Sequence, residues 1–259
     1  MRKIIFHFFA FIVGFLAVWL GLSQINWVEI VKVEEKTSKL EESLGNFYLN
    51  LIRNTNPESS DTTAVRLLED IKKRICKANG IDPKTIHLHL VRSSDVNAFA
   101  LPGNHIVILS DLLVFCERPE EVAGVMAHEM VHIEKNHIMK KLGKEIGFAT
   151  LSGMLNSGTG GAETLKILTS TAYDRKMEEE ADRIGVEYLQ KSKIDPSALA
   201  DFMYRLSMSE GDLQKHLTII STHPQTEERA HSILDLMREK TVEYEPVLSD
   251  SDWEYLQNI

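Results

Sequence analysis

Cysteine is nearly absent: the 259-residue chain has two, Cys76 and Cys116. They form no CxxC pair, which excludes a disulfide-built scaffold and a cysteine-ligated zinc module. Two buried thiols are the plain expectation, and a Cys76–Cys116 disulfide is the alternative in an oxidising compartment. An excess of basic charge is missing as well, with 29 lysines and arginines against 38 aspartates and glutamates and a formal charge of −9. Arg2 and Lys3 are the only charges in the first 28 residues, so the body is more acidic still. That argues against a nucleic-acid partner, because phosphate binding needs a basic face. Long apolar runs are scarce too. With 43% hydrophobic and 26% charged residues the chain has the composition of a folded protein, long enough for one large domain or two small ones.

One run is long enough to cross a bilayer: Ile4 to Leu22, nineteen residues with no charge. As a helix it would reach ~28 Å, close to the ~30 Å hydrocarbon thickness. A secretory h-region is shorter, roughly 7–15 residues, so an uncleaved signal anchor is expected. A cleaved signal ending near Gly21-Leu22-Ser23, which would leave a soluble periplasmic protein, is the alternative. Arg2 and Lys3 before the run, with Glu29, Glu34 and Glu35 after it, place the body outside the cytoplasm, in the periplasm or an equivalent space. No cysteine closely follows the run, so a lipoprotein anchor is excluded. The expected organisation is an anchor over 1–28, a helical linker over 29–60, one folded domain over 61–240 and a tail over 241–259.

Within the body, Asp61 or Thr62 caps a helix whose Val65, Leu68, Ile71 and Ile75 keep helical spacing until Asn79-Gly80. TIHLHLV (Thr85–Val91) alternates and predicts a strand; HIVILS (His105–Ser110) predicts another, with SSDVNAFALPGN as the loop between them. Ser110-Asp111 opens a short helix. Pro119-Glu120-Glu121 is a strong start for the next, which has no second proline before about Ile146. A long helix is expected from about Ala162 to Lys191, another after Asp195-Pro196, and a last one after the His223-Pro224 turn. The fold class is α+β, mostly helical, with a small sheet.

The chemistry gathers in AHEMVHIEKNH (Ala127–His137), with three histidines and two glutamates in eleven positions. Residues four apart share a helix face, so His128 and His132 can chelate one zinc ion, with Glu129 one step round holding a water. A solvated helix face is the alternative, but Gly124, Val125 and Ala127 are small or apolar, which an exposed face would not favour. Catalytic zinc takes three protein ligands and an open position. EEEAD supplies a further candidate, since Glu178 and Asp182 are again four apart: Glu178 as ligand, Asp182 as acceptor for a ring N–H of a ligating histidine. Spacing alone leaves Glu179 and Glu180 as competitors. The metzincin pattern would need glycine at 135 and histidine at 138, where the chain has Lys135 and Ile138.

AHEMVHIEKNH, RKMEEEADRIG and STHPQTEER, in that order, with NAFALPGNHIVILSDLL ahead of them, resemble the signature set of one gluzincin metallopeptidase family. It includes BepA, HtpX, the CAAX prenyl proteases and the mitochondrial inner-membrane quality-control protease, and the likeness is to the BepA-like single-domain type. The resemblance runs from about residue 60 to 235 and implies a zincin-type domain. It implies one zinc held by His128, His132 and Glu178, with Glu129 as catalytic base and Asp182 behind the ligands. It also implies that His223 lies at the active site, able to approach or cap the metal, with Arg229 near it; a turn histidine and a surface ion pair are the alternatives. His137 recurs in the family pattern and reads as structural. Asn136 departs from the basic residue that many relatives carry there.

The expected activity is zinc-dependent endoproteolysis of unfolded or misfolded envelope polypeptides, for protein quality control. The substrate would pair as an added strand with the edge of the segment containing His105, Ile106 and Val107. The glycine-rich stretch Leu155–Glu163 is either a lid or a connector. A CAAX-type processing protease is the lesser enzymatic reading, because those relatives have several membrane spans. The alternative from another class is a polypeptide-binding chaperone or assembly factor with a latent site, closed by His223 as a fourth ligand. No feature of the sequence fixes the oligomeric state.

Overall fold

A computed structural model of the chain describes residues 33–147, 150, 153, 160–209, 216–224, 226–237 and 243–259. The apolar run Ile4–Leu22 lies outside them, so the anchor expectation does too. No helix among the described residues is long and apolar enough to cross a membrane. The chain divides into two compact units, Met1–Leu40 and the main unit Glu41–Ile259. The elements are α1 (Val33–Thr55), α2 (Thr62–Ala78), a 3-10 turn (Pro83–Thr85), β1 (His87–Val91), β2 (Ala98–Leu101), β3 (His105–Leu109), α3 (Ser110–Phe115), α4 (Pro119–Glu134), α5 (His137–Glu145), α6 (Gly161–Ser170), α7 (Arg175–Lys191), α8 (Ser197–Met208), α9 (Ile219–Thr222), α10 (Thr226–Met237) and α11 (Asp250–Gln257). The expected class, mostly helical with a small sheet, is what the structure has.

The sheet orders its strands β1-β3-β2. β1 runs parallel to β3 with His87 opposite His105, and β2 runs antiparallel to β3 with Ala100 opposite Ile106. Two expectations fail here. The expected loop contains β2, because Ala98–Leu101 is an apolar four-residue strand that returns through a turn at Gly103 and Asn104, both at positive φ. The strand expected to offer its edge, with His105, Ile106 and Val107, is the middle one; its backbone is already bonded on both sides, so a substrate strand cannot add to it. The edges belong to β1, bridged at Val91 by Glu58, and to β2.

Successive residues of a strand face opposite sides. Leu88, Leu90, Ile106 and Ile108 turn into the main core, with Leu68 and Ile71 of α2 and Val122 and Met126 of α4. His87, His89 and His105 turn to the other side. There α1 lies close: a Cβ on Gly45 would stand 2.8 Å from the His105 ring and clash with the Pro102 carbonyl. Leu44, Tyr48, Leu49 and Ile52 of α1 are buried.

α4 is the central helix, packed against α2, α7, α8 and β2. Gly124 sets one close approach, since a Cβ there would meet the Leu199 Cβ at 2.9 Å, whereas one on Gly185 of α7 would make ordinary contact with the His128 backbone at 3.7 Å. The single helix expected from Pro119 to Ile146 is broken, because Asn136 adopts φ 56 and ψ 33, a left-handed conformation that asparagine tolerates. The long helix expected from Ala162 is divided in the same way, by residues 171–174. The segment expected as a tail carries α11, whose Trp253 and Leu256 are buried. Trp253 Nε1 donates to Glu117 O at 3.2 Å and Gln257 Nε2 to Cys116 O at 2.9 Å, bracing the entry to α4. Cys76 and Cys116 are buried free thiols, so the disulfide alternative falls.

Candidate metal centre

α4 starts at Pro119, with Glu120 and Glu121 in its positive first turn, and is buried almost throughout. Its face toward α7 carries His128 and His132, 4% and 0% exposed. Glu178 and Asp182 stand one turn apart on the facing side of α7, and His223 ends the short α9. Three separate stretches of chain thus aim four donor groups at one point. His132 Nε2 is 3.0 Å from His128 Nε2, which is 3.2 Å from His223 Nδ1. Glu178 Oε1 lies 3.0 Å from His223 Nδ1 and 3.4 Å from His132 Nε2. The ligand atoms of His128, His132, Glu178 and His223 all fall within 4.8 Å of one another.

The donor set suits a metal ion. Nitrogen and oxygen ligands bound tetrahedrally at about 2.0–2.1 Å stand roughly 3.3 Å apart; the close pairs here are 3.0 to 3.5 Å apart, and the whole set lies within 4.8 Å. Imidazole nitrogens turned toward each other with a carboxylate between them form the pattern of ligands sharing one cation.

Around this group lies a ring of orienting contacts. Asp182 Oδ1 is 3.0 Å from His128 Nδ1. Arg229 holds Asp182 with a two-pronged grip, Nε to Oδ2 and Nη2 to Oδ1, both at 2.7 Å, and its Nη1 reaches Glu178 Oε2 at 2.5 Å. Behind His132, His137 Nδ1 lies 3.1 Å from its Nδ1, while His137 Nε2 faces Glu180 at 3.3 Å. Tyr173 stacks on the His132 ring with centroids 4.0 Å apart, and Lys141 Nζ stands 4.1 Å from the Tyr173 centroid. Glu129 Oε2 accepts the Ala100 N–H of β2 at 2.8 Å. Its Oε1 has no hydrogen-bond partner and lies 3.3 Å from His223 Nε2, also without one.

Electrostatics follow from burial and pairing. Burial opposes charge on His128, but Asp182 and Glu178 outweigh it and raise its pKa to about 9. Burial drives His132 well below the usual imidazole range, against the pull of Glu178. Burial also raises Glu129, against the pull of His223 and His128. For Glu178 burial is overcome by His223 and Arg229, which hold its carboxyl well below the usual range. One buried carboxyl is therefore fixed as an anion while its neighbour is readied to accept a proton.

The structure brings together His128, Glu129, His132, Glu178, Asp182, His223 and Arg229. It separates Glu179, exposed and paired with Arg175, and Glu180, paired with His137. His105, Ile106 and Val107 lie on the middle strand, away from the group. Arg229 is 5% exposed, so the surface ion-pair alternative fails. Sequence reasoning missed Tyr173, Lys141 and the Ala100 N–H. Only Lys141 left a signal: it follows His137 by four residues, on the same face of α5. Beside Glu129 and His223 opens a small apolar pocket of about 20 Å³, lined by Val125, Leu199, Phe202, Met203, Leu206 and Ile219.

Known proteins share these features. The profile of Peptidase family M48 matches residues 62–237. The mitochondrial metalloendopeptidase OMA1 of Schizosaccharomyces pombe is 30% identical over 180 residues, covering 68% of this chain and 53% of its own. The beta-barrel assembly-enhancing protease of Yersinia pestis is 27% identical over 232 residues, 83% of this chain and 47% of its own, and that of Escherichia coli K12 is 26% identical over 204, with 73% and 42% covered. The chain spans about half the length of these curated relatives. A family profile matched from α2 through α10, including every group in the metal centre, identifies this chain as a member of peptidase family M48.

Proposed function

We propose that this chain is a zinc-dependent metalloendopeptidase that hydrolyses peptide bonds in unfolded or misfolded envelope proteins. The observation that carries it is the convergence of His128, His132 and Glu178 with the unpartnered Oε1 of Glu129 beside them. A zinc ion held there supplies Lewis acidity and makes a water acidic near neutral pH. Glu129 Oε1 takes the proton of the attacking water and returns it to the leaving amine. Burial favours the first of these steps, because a carboxylate with a raised pKa is the stronger base. Asp182, gripped by Arg229, fixes the His128 ring, and His137 and Tyr173 fix His132. His223 Nε2, beside Glu129, is placed to donate to the developing oxyanion.

The free edge of β2 is the docking strand in this reading. The Ala100 N–H on that edge is held by Glu129 Oε2, so an extended chain pairing there displaces this contact, and it is read by backbone more than by side chain. The apolar lining beside Glu129, with Val125, Leu199 and Phe202, is the contact surface for an apolar substrate side chain in this reading, which suits unfolded clients. The relatives named beta-barrel assembly-enhancing protease are the basis for placing those clients in the envelope. The Ile4–Leu22 run, read as a single anchor with the body outside the cytoplasm, agrees with that location. The lid reading of Leu155–Glu163 falls on residues largely outside the described ones.

One observation favours a second reading. His223 Nδ1 sits inside the donor group at 3.0 Å from Glu178, so four protein donors surround the point and none of the four positions is left for water. A resting enzyme closed in this way is latent, and binds polypeptide as a chaperone or assembly factor until His223 withdraws. The test is the full chain in wild-type, Glu129→Gln and His223→Ala forms, with zinc content and cleavage of an unfolded model protein both measured. The protease reading expects equal zinc in wild type and Glu129→Gln, with cleavage slowed ~10²–10⁴-fold in the latter. Cleavage seen only in His223→Ala supports latency, and no zinc in any form sinks both readings.

A further inference from the structure

The far side of the sheet carries a second histidine cluster with the same internal plan as the metal centre. In parallel register His87 of β1 stands opposite His105 of β3, and His89 follows on the same face of β1. His89 Nε2 and His105 Nδ1 face each other at 3.0 Å, the separation that His128 and His132 have. Ring centroids lie 5.1 Å apart for His89 and His105 and 5.0 Å for His87 and His105, against 4.7 and 5.0 Å for His128 with His132 and with His223.

The support behind the rings repeats as well. Glu58 Oε1 lies 2.8 Å from His89 Nδ1, as Asp182 lies 3.0 Å from His128 Nδ1. Arg53 holds Glu58 through Nε and Nη2, both 2.7 Å from its Oε2, where Arg229 takes both oxygens of Asp182. Imidazole, carboxylate and guanidinium are thus stacked in the same order at both places. A carboxylate on Nδ1 turns the Nε2 lone pair of His89 toward His105, the arrangement that orients a metal-binding imidazole. His87 is exposed and gives an ion a way in from solvent.

We propose that His87, His89 and His105 form a second site for a zinc-class divalent cation, with His87 turning its exposed ring in to complete a three-imidazole set and Glu58 orienting His89. Three imidazoles leave a fourth position for water, an accepted zinc coordination. The site pins β1 to β3 beneath α1, on the face of the sheet opposite Leu88, Leu90, Ile106 and Ile108. It does not depend on the protease reading.

The test strips the full chain with a chelator, re-equilibrates it with Zn²⁺ at neutral pH, and counts zinc per chain. Two ions are expected in wild type. One is expected in His89→Asn and in His105→Asn, and one in a His128→Ala/His132→Ala variant. His87→Ala, at an exposed position that leaves folding intact, is expected to weaken the second ion at least about tenfold. Circular dichroism checks each fold, and His87→Ala decides if a buried variant unfolds. A wild type that binds one ion, lost in His128→Ala/His132→Ala and kept in His89→Asn, overturns the proposal. So do two ions that none of the three substitutions at 87, 89 and 105 disturbs. One ion in wild type that survives in His128→Ala/His132→Ala and vanishes in His89→Asn upholds this site while removing the catalytic one.

Discussion

Arg229 is the residue on which the metal centre's geometry turns, since it neutralises two buried carboxylates at once. Its pKa is driven upward by Asp182 and Glu178 although burial opposes its charge. Removing one partner of a buried ion pair leaves uncompensated charge and costs about 3–5 kcal/mol. Arg229→Met should therefore lower the unfolding free energy by that order, and Arg229→Lys by less, because the charge stays while the fork to Asp182 is lost. Urea titration of both variants checks this, and equal losses would mean that the fork carries no weight. At this scale the sequence was informative where spacing decides geometry. His128 and His132 on one face, and Glu178 with Asp182 on another, follow from the helical repeat. The choice of Glu178 over Glu179 and Glu180 does not, because it depends on the rotation of α7 against α4. That rotation is set by how the two helices pack over their whole length, which no local pattern records.

Among the elements, the break between α4 and α5 matters most. Asn136 in its left-handed conformation turns α5 so that His137 meets His132 from behind, 3.1 Å away. A β-branched residue is strained by about 1–2 kcal/mol in that region, whereas glycine is not. Asn136→Val is expected to be less stable than wild type by that amount, and Asn136→Gly to stay within about half a kcal/mol, both read from thermal unfolding. If valine is as well tolerated as glycine, the backbone there is not held as described. The helices were legible from capping residues and apolar spacing: Asp61 does cap α2, accepting from Thr63 and Ala64 at 2.9 Å. β2 was not legible, because Ala98–Leu101 is short and apolar throughout, without the alternation that marks a half-buried strand. The identity of the edge strand was not legible either, since strand order is a property of the sheet and not of any strand.

For the whole molecule, stability as a function of pH carries the mark of one buried amine. Burial lowers Lys141 from its usual range to about 8, while its Nζ donates to Leu168 O at 3.1 Å. Between about pH 8 and 10.5 the unfolded chain holds a proton there that the folded chain has released, so this group makes stability rise with pH. Below 8 both states are charged and the full burial penalty remains, at most about 3 kcal/mol. Wild type is expected to gain stability relative to Lys141→Met from pH 8 to 10, in paired denaturant titrations. A difference that stays flat over that interval would place the Lys141 pKa elsewhere.

The sheet and the metal centre differ in how far along the chain their partners lie. All three strands and their turns fall within residues 87–109, whereas His128 meets His223 across 95 positions and Asp182 meets Arg229 across 47. Closing long loops costs chain entropy before any contact offsets it, so local pairings form first and distant ones last. On this ordering the sheet is expected to form before α9 and α10 dock on α4. The donor groups of the metal centre then meet only in the last steps of folding, so a chain cannot hold its metal before it has closed on itself.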